Sequence, residues 1–186
     1  MTLPQDRDYI GVDHGVEELL KQGITPRFAI GDFDSLQNRK SLEDLNIQIL
    51  PERKDVTDTH AAIEYAISKG YDEIEIYGAT GGRLDHFFAV MCLLEKYQDI
   101  KLKVIDQQNC IQLLKPGKHY IYNQGYYYFS LFALNESIIS IDQAEYTLDR
   151  YLLKREDPLC VSNEVKSEYA IIENSGNIIL VQSRDA

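Results

Sequence analysis

The sequence predicts an α/β N-terminal domain, a mainly parallel sheet flanked by helices, followed by an all-β, sandwich-like C-terminal domain. Two observations carry this. Up to Ile105, short apolar runs alternate with amphipathic helical stretches, the pattern that builds a parallel sheet covered by helices. Beyond Pro116 the helical period is gone, and β-branched and aromatic segments follow one another between Gly, Asn, Asp and Ser turns. The expected boundary puts residues 1–113 in the first domain and 114–186 in the second.

Each element follows from local chemistry. Tyr9 to Val12 reads as a strand that ends at Asp13-His14-Gly15. Val16, Leu19 and Leu20 recur at helical spacing, and Gly23 is placed to end that helix. Phe28-Ala29-Ile30 is the next strand, and Ile47 to Leu50 another, stopped by Pro51. Thr57 or Asp58 caps a helix carrying Ala62, Ile63, Ala66 and Ile67, which ends at Gly70. Glu73 to Tyr77 is a strand, Leu84 to Tyr97 a helix, and Leu102 to Ile105 a strand. The second half offers strands at Tyr120 to Tyr122, Tyr126 to Phe132, Ile138 to Ile141, Tyr146 to Leu148, Ala170 to Glu173 and Ile178 to Val181. Asn174-Ser175-Gly176-Asn177 reads as a hairpin loop before the last of them.

Composition narrows the function. The 186 residues carry a net charge of −11, which argues against nucleic acid as a partner, since such binders present positive potential. Acidity does not exclude a nucleotide, because Mg²⁺ can mediate between carboxylates and phosphates. The three cysteines, Cys92, Cys110 and Cys160, are far apart, with no metal-ligand spacing, and read as buried thiols of a reducing cytoplasm. Met1 to Asp8 is polar without a signal-peptide core, and no apolar run approaches the roughly 18 residues of a membrane span. The expectation is a cytoplasmic protein with no membrane association.

Three motifs hold the chemistry. In Gly31-Asp32-Phe33-Asp34-Ser35 the two carboxylates stand at i, i+2, on one face of an extended segment, where their repulsion calls for a cation. In Lys54-Asp55-Val56-Thr57-Asp58 a cation precedes acids at a helix start. Gly78-Ala79-Thr80-Gly81-Gly82-Arg83-Leu84-Asp85-His86 follows a strand and opens a helix. Its glycines let a ligand approach the backbone, its amide groups can hold an anion, and Arg83 can add a bidentate grip. Its glycine spacing is that of neither the P-loop nor the dinucleotide fingerprint. Each motif also has a plainly structural reading, as a solvated acidic turn, a capped helix start or a tight turn. The four histidines show no ligand-pair spacing, and no nucleophile elbow occurs.

Taken together, these residues resemble the thiamin pyrophosphokinases of the bacterial type. The resemblance runs through Ile10 to Gly15, Thr25-Pro26, Ile30 to Leu36, Lys54 to Thr59, Tyr77 to His86, Ser162 to Glu164 and Gln182 to Asp185, and so spans nearly the whole chain. It implies transfer of the pyrophosphoryl group of ATP to the hydroxyl of thiamin, giving thiamin diphosphate and AMP with Mg²⁺, in a homodimer. It further implies Asp32, Asp34, Asp58 and Asp85 around the metal, with Asp58 or Asp85 as the catalytic carboxylate. Lys54, Thr57, Thr80, Gly81, Gly82 and Arg83 would contact ATP, and Asp85, Ser162 and Asn163 would face thiamin. The family's usual first strand and glycine loop, upstream of Tyr9, are expected to be missing, and His14 stands where the family often has Arg. With no Trp, stacking on thiamin would fall to Tyr or Phe. Two other functions use the same motifs: a Mg²⁺-dependent nucleotide phosphohydrolase with water as acceptor, and a non-catalytic module that binds nucleotide or thiamin.

Overall fold

A computed structural model describes residues 1–31, 48–50 and 55–185. Their contacts divide the chain into two compact units, Met1–Asp72 and Glu73–Ala186.

The first unit is built on three short parallel strands in the order β1 (Ile10–Val12), β2 (Phe28–Ile30), β3 (Gln48–Leu50). Helix α1 (Gly15–Lys21) follows β1 and buries Val16 and Leu19. A Cβ on Gly11 would lie 2.5 Å from Val16 Cγ2, so the bare glycine is what lets α1 sit this close to the strand. The helix ends as read. The Ile24 amide donates to the Leu19 carbonyl and the Gly23 amide to that of Leu20, with Gly23 at φ +72°, a Schellman closure. Helix α2 (Asp58–Ser68) ends the same way through Gly70 at φ +87°, with Tyr71 donating to Ala66 and Gly70 to Ile67. Ala61 and Ala62 of α2 pack with Ile30, and Val12 and Val56 join them. The first turns of α2 therefore rest against the carboxyl ends of β1 and β2, the edge at which parallel sheets hold ligands.

The second unit contains two sheets. One has six strands in the order β11 (Asn163–Glu164), β8 (Tyr128–Ala133), β13 (Ile178–Ser183), β6 (Asn109–Leu114), β5 (Lys101–Ile105), β4 (Glu73–Tyr77). In it β4 and β5 run parallel and every other pair is antiparallel. Helix α3 (Leu84–Lys96) links β4 to β5 and buries Val90, Leu93 and Leu94, one side of its surface. The other sheet is antiparallel, in the order β10 (Leu148–Lys154), β9 (Glu136–Asp142), β12 (Tyr169–Asn174), β7 (Gly117–Tyr122). Inward and outward residues alternate along β9 and β12, as in sheets buried on one face. Phe129, Leu131, Ile178 and Leu180 of the six-stranded sheet share one apolar cluster with Ile139, Ile141, Leu153, Ala170 and Ile172 of the four-stranded sheet.

Two expectations change. The segment at residues 174–177 is not a hairpin, because β12 and β13 lie in different sheets and each pairs with other strands. It carries the chain between the sheets, and the Ser137 hydroxyl, only 1% exposed, accepts from the Ser175 and Gly176 amides at 3.2 and 3.0 Å. The strand expected at Tyr146 to Leu148 instead starts at Leu148 and runs to Lys154. Its register shifts between Leu148 and Tyr151, where Arg150 takes φ +49°, so a bulge breaks the alternation that would have revealed it.

Candidate active site around the glycine loop

Asp32, Asp34 and Lys54 lie outside the described residues. The approach to the first acidic motif is described: the Asp13 amide donates to the Ile30 carbonyl at 2.9 Å as β1 and β2 end. Next to it Gly31 takes φ +143°, and a Cβ there would lie 2.2 Å from Asp13 Oδ1. Only glycine fits, which brings the residues after both strands to the same edge of the sheet.

Thr57 is the N-cap of α2; its hydroxyl oxygen accepts from the His60 amide at 3.3 Å. Asp58 occupies the first turn, where the unpaired amide groups of the helix favour an anionic side chain. His60 lies 3.4 Å from Glu64, one turn along the same helix, which accounts for it structurally.

In the second unit the glycine loop joins β4 to α3. Gly78 and Gly81 take φ +76° and +80°, a conformation that side chains resist, and Gly81 to His86 are all exposed. Arg83 stands at the N-cap without a capping side chain. Its guanidinium grips Asp85 through two bonds, Nε to Oδ1 at 3.1 Å and a terminal nitrogen to Oδ2 at 2.5 Å. Oδ1 also accepts from the His86 amide at 3.0 Å. The Arg83 hydrogen bonds, helped by that amide, hold the Asp85 carboxyl below its ordinary range, and the pairing raises Arg83. Both are well exposed and charged, so either can exchange its partner for a ligand.

Thr80 leads to a residue that the motif reading missed. Its hydroxyl donates to Asp106 Oδ2 at 2.6 Å. Asp106 follows β5, and its Oδ1 accepts from the Gln108 and Asn109 amides, each at 2.7 Å. The Asn109 side-chain amide reaches both oxygens at 3.1 Å. Burial works against the charged carboxylate, but Thr80, Gln108 and Asn109 together outweigh it and leave the carboxyl lowered from 3.8. The signal was available in Asp106-Gln107-Gln108-Asn109, a turn sequence between two apolar runs.

Ser162 and Asn163 lie at the start of β11, on the edge of the six-stranded sheet. Ser162 is exposed at φ +58°, and its amide donates to the Ser130 hydroxyl at 3.0 Å. Asn163 is 5% exposed and committed to its surroundings. Its Oδ1 accepts from the Tyr146 and Glu164 amides at 3.0 and 2.9 Å, and its Nδ2 donates to the Tyr146 carbonyl at 2.7 Å. Exposed aromatic rings, Tyr127 and Tyr146, occur in the loops before β8 and β10. Thr80, Arg83 and Asp85 thus lie together on the glycine loop and the first turn of α3, Thr57 and Asp58 at the start of α2, and Ser162 and Asn163 at the start of β11. Among the described residues no three His, Cys, Asp or Glu side chains form a ready metal cage, and no helix is long and apolar enough to cross a membrane.

Comparison with known proteins identifies relatives along nearly the whole chain. Residues 3–105 match a family model described as thiamin pyrophosphokinase, catalytic domain, and residues 118–179 one described as thiamin pyrophosphokinase, vitamin B1 binding domain. The thiamine pyrophosphokinase of Bacillus subtilis is 36% identical over 187 aligned residues, which cover 95% of this chain and 87% of that protein. A crystal structure of the Bacillus subtilis enzyme superposes with a TM-score of 0.90 at 32% identity, covering 99% of this chain and 91% of that one. That of the Geobacillus thermodenitrificans thiamin pyrophosphokinase gives 0.89 at 32% identity, with 99% and 89% covered. With both of the family's domains matched in order and the fold shared throughout, this chain belongs to the thiamin pyrophosphokinase family.

Proposed function

We propose that the glycine loop and the two acidic motifs divide between them the reaction that this family carries out. The chain transfers the pyrophosphoryl group of ATP to the hydroxyl of thiamin, and atom balance leaves AMP. Attack is at the β-phosphorus, so the work is positioning and charge neutralisation. The observation that carries the assignment is the Arg83–Asp85 pair, an exposed cation and carboxylate at the mouth of a glycine loop. Gly81, Gly82 and Arg83 bind the triphosphate there, Arg83 leaving Asp85 for phosphate, and Thr80 contacts the nucleotide beside them. Lys54 and Thr57, both of the second acidic motif, add contacts.

Asp85, exposed and held ionised, offers the hard oxygen that Mg²⁺ prefers, and Asp58, Asp32 and Asp34 are donors of the same kind. Their donor chemistry suits the ion, and these four carboxylates would hold it. When bound, Mg²⁺ neutralises charge on the phosphates. The thiamin hydroxyl proton passes to Asp58 or Asp85; while Arg83 stays on Asp85, that carboxylate is a weak base. Asp85 and Ser162 face thiamin, with Asn163 fixing the backbone at Tyr146 and Glu164 beside it. In domain terms we assign 1–113 to an α/β nucleotide domain and 114–186 to a β-sandwich thiamin-binding and dimerisation domain, a division by function that differs from the two compact units, because β4 to β6 pair within the six-stranded sheet. The working unit is a homodimer in the cytosol, a setting in keeping with three unpaired cysteines.

The test is chromatographic. Protein with ATP, Mg²⁺ and thiamin should yield AMP and thiamin diphosphate in equal amounts, and neither without thiamin. AMP or phosphate appearing without thiamin would establish a phosphohydrolase, and ligand-induced stabilisation without turnover a binding module. Asp85→Asn should lower kcat by about a hundredfold or more with the fold intact by circular dichroism. A near-normal rate would remove Asp85 from the site.

A further inference from the structure

Asp106 belongs to no motif and stands at the far end of β5 in sequence, yet it holds the centre of the glycine loop through the Thr80 hydroxyl, 2.6 Å away. Its own position is rigid. The 106–109 turn closes with the Asp106 amide donating to the Asn109 carbonyl at 2.9 Å. Arg184, beyond β13, pins the turn from outside: its amide donates to the Gln108 carbonyl and its Nε to the Gln107 carbonyl, both at 2.9 Å. The two carboxylate oxygens divide the work. Oδ1 takes the backbone amides of the turn and Oδ2 takes Thr80, while the Asn109 side-chain amide spans both.

A carboxylate can only accept, so the Thr80 hydroxyl spends its single proton on Asp106. What Thr80 Oγ then offers to a ligand is lone pairs. It cannot donate to a phosphate oxygen; that task stays with the loop amides and Arg83. We propose that Asp106 is a positioning residue of the nucleotide site: it anchors the glycine loop and turns the Thr80 oxygen into an acceptor for a donor group of the bound nucleotide, a sugar hydroxyl or the base amine. This rests on the reading above, in which the loop binds ATP.

The sharp variant is Asp106→Asn. Its Oδ1 can still serve the turn, but an NH₂ group replaces Oδ2 opposite Thr80. The Thr80 hydroxyl must then accept, and its proton swings toward the ligand. A double-mutant cycle of Asp106→Asn and Thr80→Val reads the effect, with KM for ATP and for thiamin, kcat and Tm measured on each. Each single variant should raise KM for ATP about tenfold, the scale of one hydrogen bond, and leave KM for thiamin unchanged. The double variant should be no worse than Thr80→Val alone, because both remove one contact. Thr80→Ser, which keeps the hydroxyl, should recover most of the loss seen in Thr80→Val.

Additive losses, or an unchanged KM for ATP in Asp106→Asn, would overturn the positioning role while leaving the ATP reading intact. No change in Thr80→Val would remove Thr80 from the nucleotide site and the inference with it. Absence of thiamin-dependent products in the parent protein would be the separate failure of the function itself. If Asp106→Asn does not fold, Asp106→Ser takes its place in the cycle: its hydroxyl can still accept from the turn amides but is too short to reach Thr80.

Discussion

Asp106 shows what a single residue contributes to acid resistance. Its folded-state pKa lies below the ordinary 3.8, chiefly because three sets of donors outweigh the burial that opposes them. A lowered carboxyl binds its proton more weakly in the folded state than in the unfolded one. The stability it supplies is therefore complete above the unfolded value and is lost as pH falls past 3.8 through the lower folded value. Urea unfolding at pH values stepped down from 6 should give a shallower acid decline for Asp106→Asn than for the parent; parallel curves would contradict the linkage. At the same scale the cysteines read largely as sequence suggested: Cys110 and Cys160 are buried, and burial first, with Asp157 adding to it, pushes the Cys160 thiol to about 11. Cys92, by contrast, is exposed, since it falls on the outer side of α3 and not among Val90, Leu93 and Leu94.

At the scale of elements, what could be read was what is settled within a few residues. Gly23 and Gly70 end their helices, and Thr57 starts one, because caps are made by neighbours in sequence. Thr57→Ala should cost about 1 kcal/mol in chemical denaturation, the usual worth of an N-cap, and Thr57→Ser close to nothing. Equal losses in both would assign the effect to something other than the hydroxyl. The site motifs were legible for the same reason, being contiguous runs such as Gly78 to His86. Asp106 was not, since its partner Thr80 is 26 residues away and meets it only because β4 and β5 pair in register, Tyr77 beside Ile105. The bulge at Arg150 hid β10, and β6, not among the expected strands, pairs on both sides, with β5 and β13.

At the scale of the whole molecule, the second unit depends on one apolar cluster fed by both of its sheets. Leu180 on β13 is fully buried there, with partners on both sides of its strand. Leu180→Ala should lower unfolding stability by about 2–5 kcal/mol, through lost transfer energy and the cavity left behind. Thermal or urea unfolding measures it; a loss under about 1 kcal/mol would mean that the cluster collapses around the gap. Sequence showed that the chain beyond Pro116 is all strands. It did not show which strands share a sheet, because pairing is decided by contacts between distant residues. Hence Asn174 to Asn177 looked like the turn of a hairpin, although β12 and β13 belong to different layers.

That crossing has a consequence in time. Ser175 and Gly176 hold no place in any strand, yet their amides end on a hydroxyl that water barely reaches, and the Ile138 amide reciprocates by donating to the Ser175 hydroxyl at 2.8 Å. Exposing these protons to deuterium requires the link to lift away from β9, where Ser137 is buried. In a hydrogen-exchange profile the link between β12 and β13 should therefore be as slow as the strands it joins, a loop by shape that keeps the clock of the core.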